Sequence, residues 1–455
     1  MATRITHTQS AATSRRKFTL SAWIKRGTIT DGHDQVIYDS YNDGNNRVTF
    51  FIHSTDHLYL YSASGGVAVI EVVCNRKLRD CGGWYHIVCA VDTEQAAASD
   101  RVKIYVNNKL ETSFSTATYP TQNLDLRMGT TDYTDAFGYY SGGGSSVFEG
   151  CMSHLQFVDG AQLTPSYFGQ TDATTGEWKF GGNAGSITYG NNGFHILKDG
   201  NSLTDQSGNS NNFTLATGTL TKTEDNPSNS FATLNTMRKF NTAGTYANGN
   251  LTYSIGSNTW VSAISTLGFT KGKFYYEAEF ESGSYFKLGF VSDDSTPEIG
   301  HIGQAAIDAG YAWYMNSGGE VRTDDAVVSG WAGSDITNIS TITTGDIMKV
   351  AVDMDNKFAY FGVNNVWAKN ADPTSGSSGT GGFSISSEYT GGQEQKILLP
   401  AVSVYNASCH LNFGNGYFGT TAVSSPGTNA SGNGIFEHDV PAGYTAVSTK
   451  GINSF

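Results

Sequence analysis

Glu277, Glu279 and Glu281 alternate with Ala278 and Phe280, and in a strand residues two apart share one face at a spacing of about 7 Å. Carboxylates about 5 to 9.5 Å apart are what glycoside hydrolysis uses, although an alternating Glu run is also what a solvated strand face looks like, and that is the expectation here. His53 and His57 in His-Ser-Thr-Asp-His have a spacing that zinc sites use. They flank an expected hairpin tip with no third ligand nearby in sequence, so no metal is assigned. Asp205 to Asn212 offers oxygen ligands at alternate positions, but the twelfth position of a calcium loop, where Glu belongs, is Ala216; a turn held by side-chain to backbone hydrogen bonds is expected instead. Gly414-Asn415-Gly416-Tyr417-Phe418-Gly419 fits the dinucleotide fingerprint after the apolar run Cys409 to Phe413. The fingerprint needs a following helix to hold the pyrophosphate, and Thr420 to Gly427 contains Ser-Ser-Pro-Gly. There is no Gly-Lys-Ser/Thr phosphate loop and no Gly-x-Ser-x-Gly elbow. No catalytic residue, metal ligand or cofactor is therefore assigned, and a binding or structural role is expected.

Binding chemistry is better represented. The segments between apolar runs are rich in Gly, Ser, Asn and Tyr, a composition that combines adaptable hydrogen bonding with rigid aromatic area. Tyr139, Tyr140, Trp313, Tyr314 and Trp331 are the candidate ligand contacts.

The elements that would position them are strands. Arg47 to His53, Leu58 to Tyr61, Trp84 to Asp92, Val102 to Val106, Lys273 to Phe280, Lys349 to Met354 and Leu398 to Tyr405 are short and β-branched or aromatic, each closed by turn residues. Only Gly303 to Ala309 has modest helical appeal. Glycine is 54 of 455 residues, charged residues are 15 % and aromatics 12 %, against a usual glycine share of about 7 % and charge near 25 %. That excludes coiled coil and disorder and points to an all-β chain of two consecutive antiparallel β-sandwich domains. A weak internal echo supports the pairing: Val91-Asp92 precedes Ile104 to Asn108 as Val352-Asp353 precedes Ala359 to Asn365, each ending in an Asn-Asn turn. Expected boundaries are 1–169 for the first sandwich, 170–235 for a Gly/Asn-rich connector with short strands, 236–425 for the second sandwich and 426–455 for a C-terminal segment packing on it. Ala371 to Gly382 is expected as a long loop.

A net charge of −13 lacks the basic face a nucleic-acid partner or anionic membrane requires. No run of 18 apolar residues exists, and Met1 to Lys17 reads as neither signal nor anchor. Five cysteines at irregular spacing suggest no disulfide framework and synthesis in a reducing cytoplasm.

The first half resembles a laminin-G-like, concanavalin-A-like jelly roll through Phe18 to Arg26, Arg79 to Val88, Asp92-Thr93, Arg101 to Asn107, Phe148-Glu149-Gly150 and Phe157 to Gly160. The second half resembles a SPRY domain through Gly272 to Glu277, Leu288-Gly289-Phe290, Gly345 to Asp353, Leu399 to Val402 and Leu411 to Gly414. The join, with Phe168-Gly169, Asp205 to Asn212 and Asp225 to Asn235, is similar to linking segments in structural proteins of marine bacteriophages, where this domain pair recurs. The Glu277 strand resembles that of sandwich-fold glycosidases incompletely, since those place an Asp between two Glu. The resemblance allows calcium but places no ligand for it.

What the resemblance implies is a non-enzymatic phage virion protein, a tail-fibre or adhesin subunit that binds a host surface glycan or protein. It also implies other virion proteins as partners and a homo-oligomer, most plausibly a trimer. A capsid or tail decoration protein is the structural alternative, and a surface-polysaccharide hydrolase resting on Glu277, Glu279 and Glu281 is the third reading.

Overall fold

The computed structural model describes residues 3–29, 32–144, 146–182, 184–198, 200–239, 243–293, 301–303, 310–314, 319–323, 326–339, 341–385 and 396–455. Among these the chain is almost entirely strand, with an α-helix only at Thr449–Ile452 and a few 3-10 turns. It divides into two units, Met1–Lys222 and Thr223–Phe455. The expected helical segment at Gly303 to Ala309 lies, beyond its first residue, outside the described residues.

The first unit is a sandwich of an eight-stranded and a six-stranded sheet. The larger runs, in spatial order, Phe114–Thr118, Val67–Lys77, His57–Ser64, Asn46–Ile52, Gln35–Asp43, Thr134–Phe137, Arg4–Thr8 and Thr214–Thr217. The smaller runs Phe194–Ile196, Gly150–Asp159, Lys17–Arg26, Tyr85–Asp92, Val102–Val106 and Lys109–Leu110. Alternation decides what lies between them: Val48, Phe50 and Ile52 pack inward with Leu58, Leu60, Ile70 and Val72 against Leu20, Ile87 and Ile104. Two of these strands come from the stretch expected to be connector. Phe194–Ile196 pairs with Leu155 to Phe157, and Thr214–Thr217 pairs with Arg4 to Thr6. Residues 170–235 are thus shared between the two units, with the division at Lys222.

The second unit is built on three long strands, Thr252–Ser265, Lys273–Ser292 and Leu398–Asn412, the last pairing with both of the others. Among the described residues they belong to one thirteen-stranded sheet that folds over a large core, with smaller clusters around Tyr275 and around Ile302. The C-terminal segment closes one face, where Thr445–Ala446 adds in parallel beside Phe274 and Tyr275.

The echo in the sequence has a physical basis in both units. Lys17 lies opposite Asp92 as Lys273 lies opposite Asp353, with Lys Nζ to carboxylate distances of 3.9 and 2.9 Å. In the hairpin that follows, Asn107 and Asn364 sit at φ +47° and +50°. Each side-chain oxygen accepts the backbone N–H that starts the neighbouring strand, His86 at 2.8 Å and Ile347 at 2.9 Å. Asn tolerates that left-handed backbone and supplies the acceptor, which explains its place at both turns.

Candidate functional site: an aromatic cleft on the first sandwich

Because Val48, Phe50, Leu58 and Leu60 point to the core, Arg47, Thr49, Phe51, Tyr59 and Tyr61 must stand on the outer face of the eight-stranded sheet. In register, Phe51 faces Tyr59 and Thr49 faces Tyr61. The Phe51 and Tyr59 rings stack at 4.7 Å with planes 16° apart. Tyr59 Oη donates to Glu71, and burial followed by that carboxylate pushes the phenol above its ordinary range. One row along, the Arg47 guanidinium lies 4.9 Å from the Tyr61 ring centre and 5.1 Å from that of Tyr140, and donates to Tyr140 Oη.

Tyr140 reaches this face from a loop that folds back on itself. Tyr139 bridges Val147, Tyr140 N donates to Ser146 O at 3.1 Å, and Gly143 N donates to Tyr140 O at 3.1 Å. The loop is tied to the sheet through Asp39, which is buried and accepts from Ser141 N at 2.9 Å and Thr49 Oγ1 at 2.8 Å. Burial raises the Asp39 carboxyl, and those two hydrogen bonds pull against the rise. The result is a cleft of about 420 Å³ walled by Phe51, Tyr59, Tyr61 and Tyr140, with Arg47 at one end and Asp34 and His53 at the other. Aromatic walls with a few fixed polar groups, at that volume, suit a small organic ligand or part of a chain.

Of the five candidate contacts, the structure brings Tyr140 into this cleft and Tyr139 beside it, under the Arg4 guanidinium at 5.3 Å. Trp313 and Trp331 require correction: they are 0 % and 2 % exposed and belong to the core of the second unit. Trp313 pairs across to Leu288 and Val321 on the inward face and meets Phe361 edge-on at 5.3 Å, while Trp331 meets Phe383 edge-on at 5.4 Å. Tyr314 takes the opposite parity, opposite Lys287 and Glu320; its side chain lies outside the described residues. Arg47, Tyr59, Tyr61 and Phe51 escaped the sequence reading, although Leu58-Tyr59-Leu60-Tyr61 alternates plainly enough to place both tyrosines on a free face.

The other candidate chemistry resolves into structure. Glu277 is not on a solvated face but fully buried. Its carboxylate accepts from Tyr275 Oη at 2.7 Å, His438 N at 2.9 Å and Glu437 N at 3.0 Å, so the C-terminal segment closes over it. Burial pushes Glu277 up to about 7 and holds its cross-strand neighbour Lys349 down at about 8. Glu279 is half-buried, and Glu281 is exposed and accepts from Ser408, with His410 Nε2 at 3.4 Å. The Asp205 carboxylate spends itself on His195 N, Ser207 N, Ser207 Oγ and Asn211 N at 2.7 to 3.0 Å, which is the turn the sequence suggested. Gly414 and Gly416 donate to Asn412 Oδ1, and a hairpin of Tyr417–Phe418 with Thr421–Ala422 follows, not a helix. Among the described residues, no three His, Cys, Asp or Glu side chains are placed to hold a metal ion, and no helix is long and apolar enough to cross a membrane.

Residues 2–166 match the family described as Laminin_G_3, the concanavalin A-like lectin/glucanases superfamily. The first sandwich thus has a concanavalin-A-like, lectin/glucanase-type fold, and among the described residues the chain as a whole is nearly all β in antiparallel sheets. Among solved structures, the chain is similar to the SPRY domain of human HERC1, at 15 % identity over 39 % of this chain and 96 % of that one, with a TM-score of 0.28. It is also similar to the PSpry domain of TRIM65, at 9 % identity over 40 % and 88 %, with a TM-score of 0.29. A SAP-like pentraxin from Limulus polyphemus matches at 19 % identity over 36 % and 72 %, with a TM-score of 0.26. No curated protein matches the chain.

Proposed function

We propose that this chain is a non-enzymatic glycan-binding protein whose ligand lies in the cleft on the outer face of the first sandwich. The observation that carries this reading is the row of ring faces, Phe51 on Tyr59 and Tyr61 beside Tyr140, arranged around a single guanidinium. A pyranose ring has an apolar C–H face that packs on an aromatic ring and a rim of hydroxyls that needs donors and acceptors. Tyrosine supplies both at little cost in side-chain freedom. The lectin/glucanase-type fold of residues 2–166 is in keeping with a carbohydrate ligand.

The setting we propose is the surface of a phage virion, with the chain serving in a tail fibre or adhesin that meets a host surface glycan. The likeness of Asp225 to Asn235 and the rest of the join to such proteins supports that setting. In a symmetric oligomer, several weak clefts would act together through effective concentration.

The test is a glycan array read with the purified full chain, followed by titration of the best ligand against Tyr61→Ala and Tyr140→Ala. Both variants are expected to keep the parent circular dichroism spectrum and to bind about tenfold more weakly or worse. Undiminished binding by both would place the ligand elsewhere. For the setting, antibody labelling of intact virions is expected to mark the tail or its fibres; absence of label from particles would end the virion reading.

A further inference from the structure

Arg47 is the arginine that lines the cleft, and like Arg4, Arg15, Arg101 and Arg127 it makes no ion pair among the described residues. Arg16, Arg26, Arg76, Arg79 and Arg322 each lie within 3.0 Å of an Asp or Glu oxygen. Arg47 has no such ion pair among the described residues, its Nη1 is spent on a neutral phenol, and its Nε has no hydrogen-bond partner. The carboxylates around the cleft are already engaged. Asp39 accepts from Ser141 N and Thr49 Oγ1, Glu71 from Tyr59 Oη, and Asp34 from Ser54 N at 2.9 Å. Burial raises the Asp39 carboxyl, and the Arg47 charge pulls only weakly against that rise, after the hydrogen bonds from Ser141 and Thr49. A second arginine repeats the arrangement against the same loop. Arg4 lies over Tyr139, donates to Ser141 Oγ at 3.2 Å, and has an Nε without a partner.

A guanidinium clamped between two tyrosine rings keeps a fixed plane, and its fork geometry matches two oxygens of one oxyanion. Arg47 and Arg4, on two strands of one sheet, are both held against the tyrosines of one loop without an ion pair among the described residues, and an anionic ligand would supply what each lacks. We propose that the Arg47 end of the cleft takes the acidic group of a charged saccharide, a uronate carboxylate or a sulfate ester, while Phe51 and Tyr59 take the adjoining sugar ring. This assignment rests on the glycan-binding reading above and adds the class of sugar.

The experiment titrates the full chain with matched pairs: an oligogalacturonate and its methyl ester, and a sulfated galactan oligosaccharide and its desulfated form. The acidic member of at least one pair is expected to bind tenfold or more tightly than its neutral counterpart, and to weaken as salt is raised. The pair that shows the preference tells carboxylate from sulfate. In R47Q the ratio within that pair is expected to fall towards one, with R47K intermediate because it keeps charge and loses the fork; unchanged thermal unfolding of both variants excludes loss of fold as the cause. Equal binding of acidic and neutral members, still abolished by Tyr61→Ala, would overturn the acidic-sugar assignment and leave the glycan cleft standing. Binding to no saccharide, or binding indifferent to Tyr61→Ala, would overturn both.

Discussion

His86 shows how a residue type associated with chemistry can be spent on packing. It is fully buried, stacked on Trp23 at 4.5 Å, with Nδ1 accepting from Trp178 Nε1 at 2.9 Å and Nε2 at 2.9 Å from Ser21 Oγ. With Nδ1 accepting, the ring proton belongs on Nε2, and the neutral imidazole is fully satisfied. Burial, reinforced by His154, holds the ring down at about 3. The unfolded chain takes up the proton near pH 6.5 while the folded one stays neutral, so the unfolded state binds more protons between about 6.5 and 3. Stability in the first sandwich is accordingly whole above pH 6.5 and lost as pH falls, by up to about 1.4 kcal/mol per unit from this group. Hydrogen exchange of the Val88 and Ala90 amides is expected to speed up between pH 6.5 and 5 once corrected for intrinsic rates. His86→Gln should be less stable at pH 7 yet show a shallower pH slope, and an unchanged slope would remove His86 as the cause. The same residue scale separates what the sequence disclosed from what it hid. Tyr140 was legible because a tyrosine among glycines has little local core to join. Arg47 was not, because its two ring partners lie 14 and 93 positions along the chain, one brought to it by sheet register and the other by a loop that folds back.

At the scale of elements, strands were legible and their continuity was not. Arg47 to His53, Trp84 to Asp92 and Lys349 to Met354 differ from the observed Asn46–Ile52, Tyr85–Asp92 and Ile347–Asp353 by one or two residues at their ends. The run Lys273 to Phe280, in contrast, is only the first part of Lys273–Ser292. The sequence reading stops where Glu281-Ser282-Gly283-Ser284 offers no apolar residue, yet the strand continues through a one-residue register shift between Phe280 and Ser282. Along Leu398–Asn412, Val402 and Val404 face the core before Asn406, and Ala407, Cys409 and Leu411 face it afterwards. That change of parity falls at Asn406, whose φ is +44°, close to the bulge that Glu281 makes in the facing strand. Gly283, at φ +114°, pairs with the next residue, Ala407, and a Cβ there would come 2.2 Å from Asn406 O and 2.3 Å from Ala407 Cα, both backbone atoms. Gly283→Ala is therefore expected to cost the second unit about 2 to 4 kcal/mol, from the strained backbone and the displaced partner strand together. Urea unfolding measures it; a loss below about 0.5 kcal/mol would mean that the bulge yields and does not specify this strand pairing.

For the whole molecule, the division of labour between the two units depends on where the first one ends. The composition of residues 170–235 suggests a connector because its strands are short and set among Gly and Asn, and because Thr214–Thr217 is exposed along its length. What fixes it to the first sandwich is aromatic. Phe194 meets Phe213 edge-on at 4.7 Å, and both pack on Phe137, with Phe194 also stacked 5.8 Å from Phe157. Phe194, Ile196 and Phe213 belong to the same core cluster as Leu20 and Ile87, although the family match stops at residue 166. Removing two buried phenylalanines and an isoleucine would leave Phe137 and Phe157 facing water, and each such loss costs about 2 to 5 kcal/mol, which together approach the 5 to 15 kcal/mol of a whole domain. Every strand pairing among the described residues also falls within one unit or the other. A fragment of residues 1–222 is thus expected to fold alone and to show the saccharide binding proposed for the Tyr61–Tyr140 cleft, and 223–455 is expected to fold alone as well. A fragment of residues 1–169, which keeps every cleft residue, is expected to show no cooperative thermal transition and no binding. If 1–169 instead melts cooperatively at the temperature of 1–222, the aromatic cluster is dispensable and the connector reading of this segment is restored.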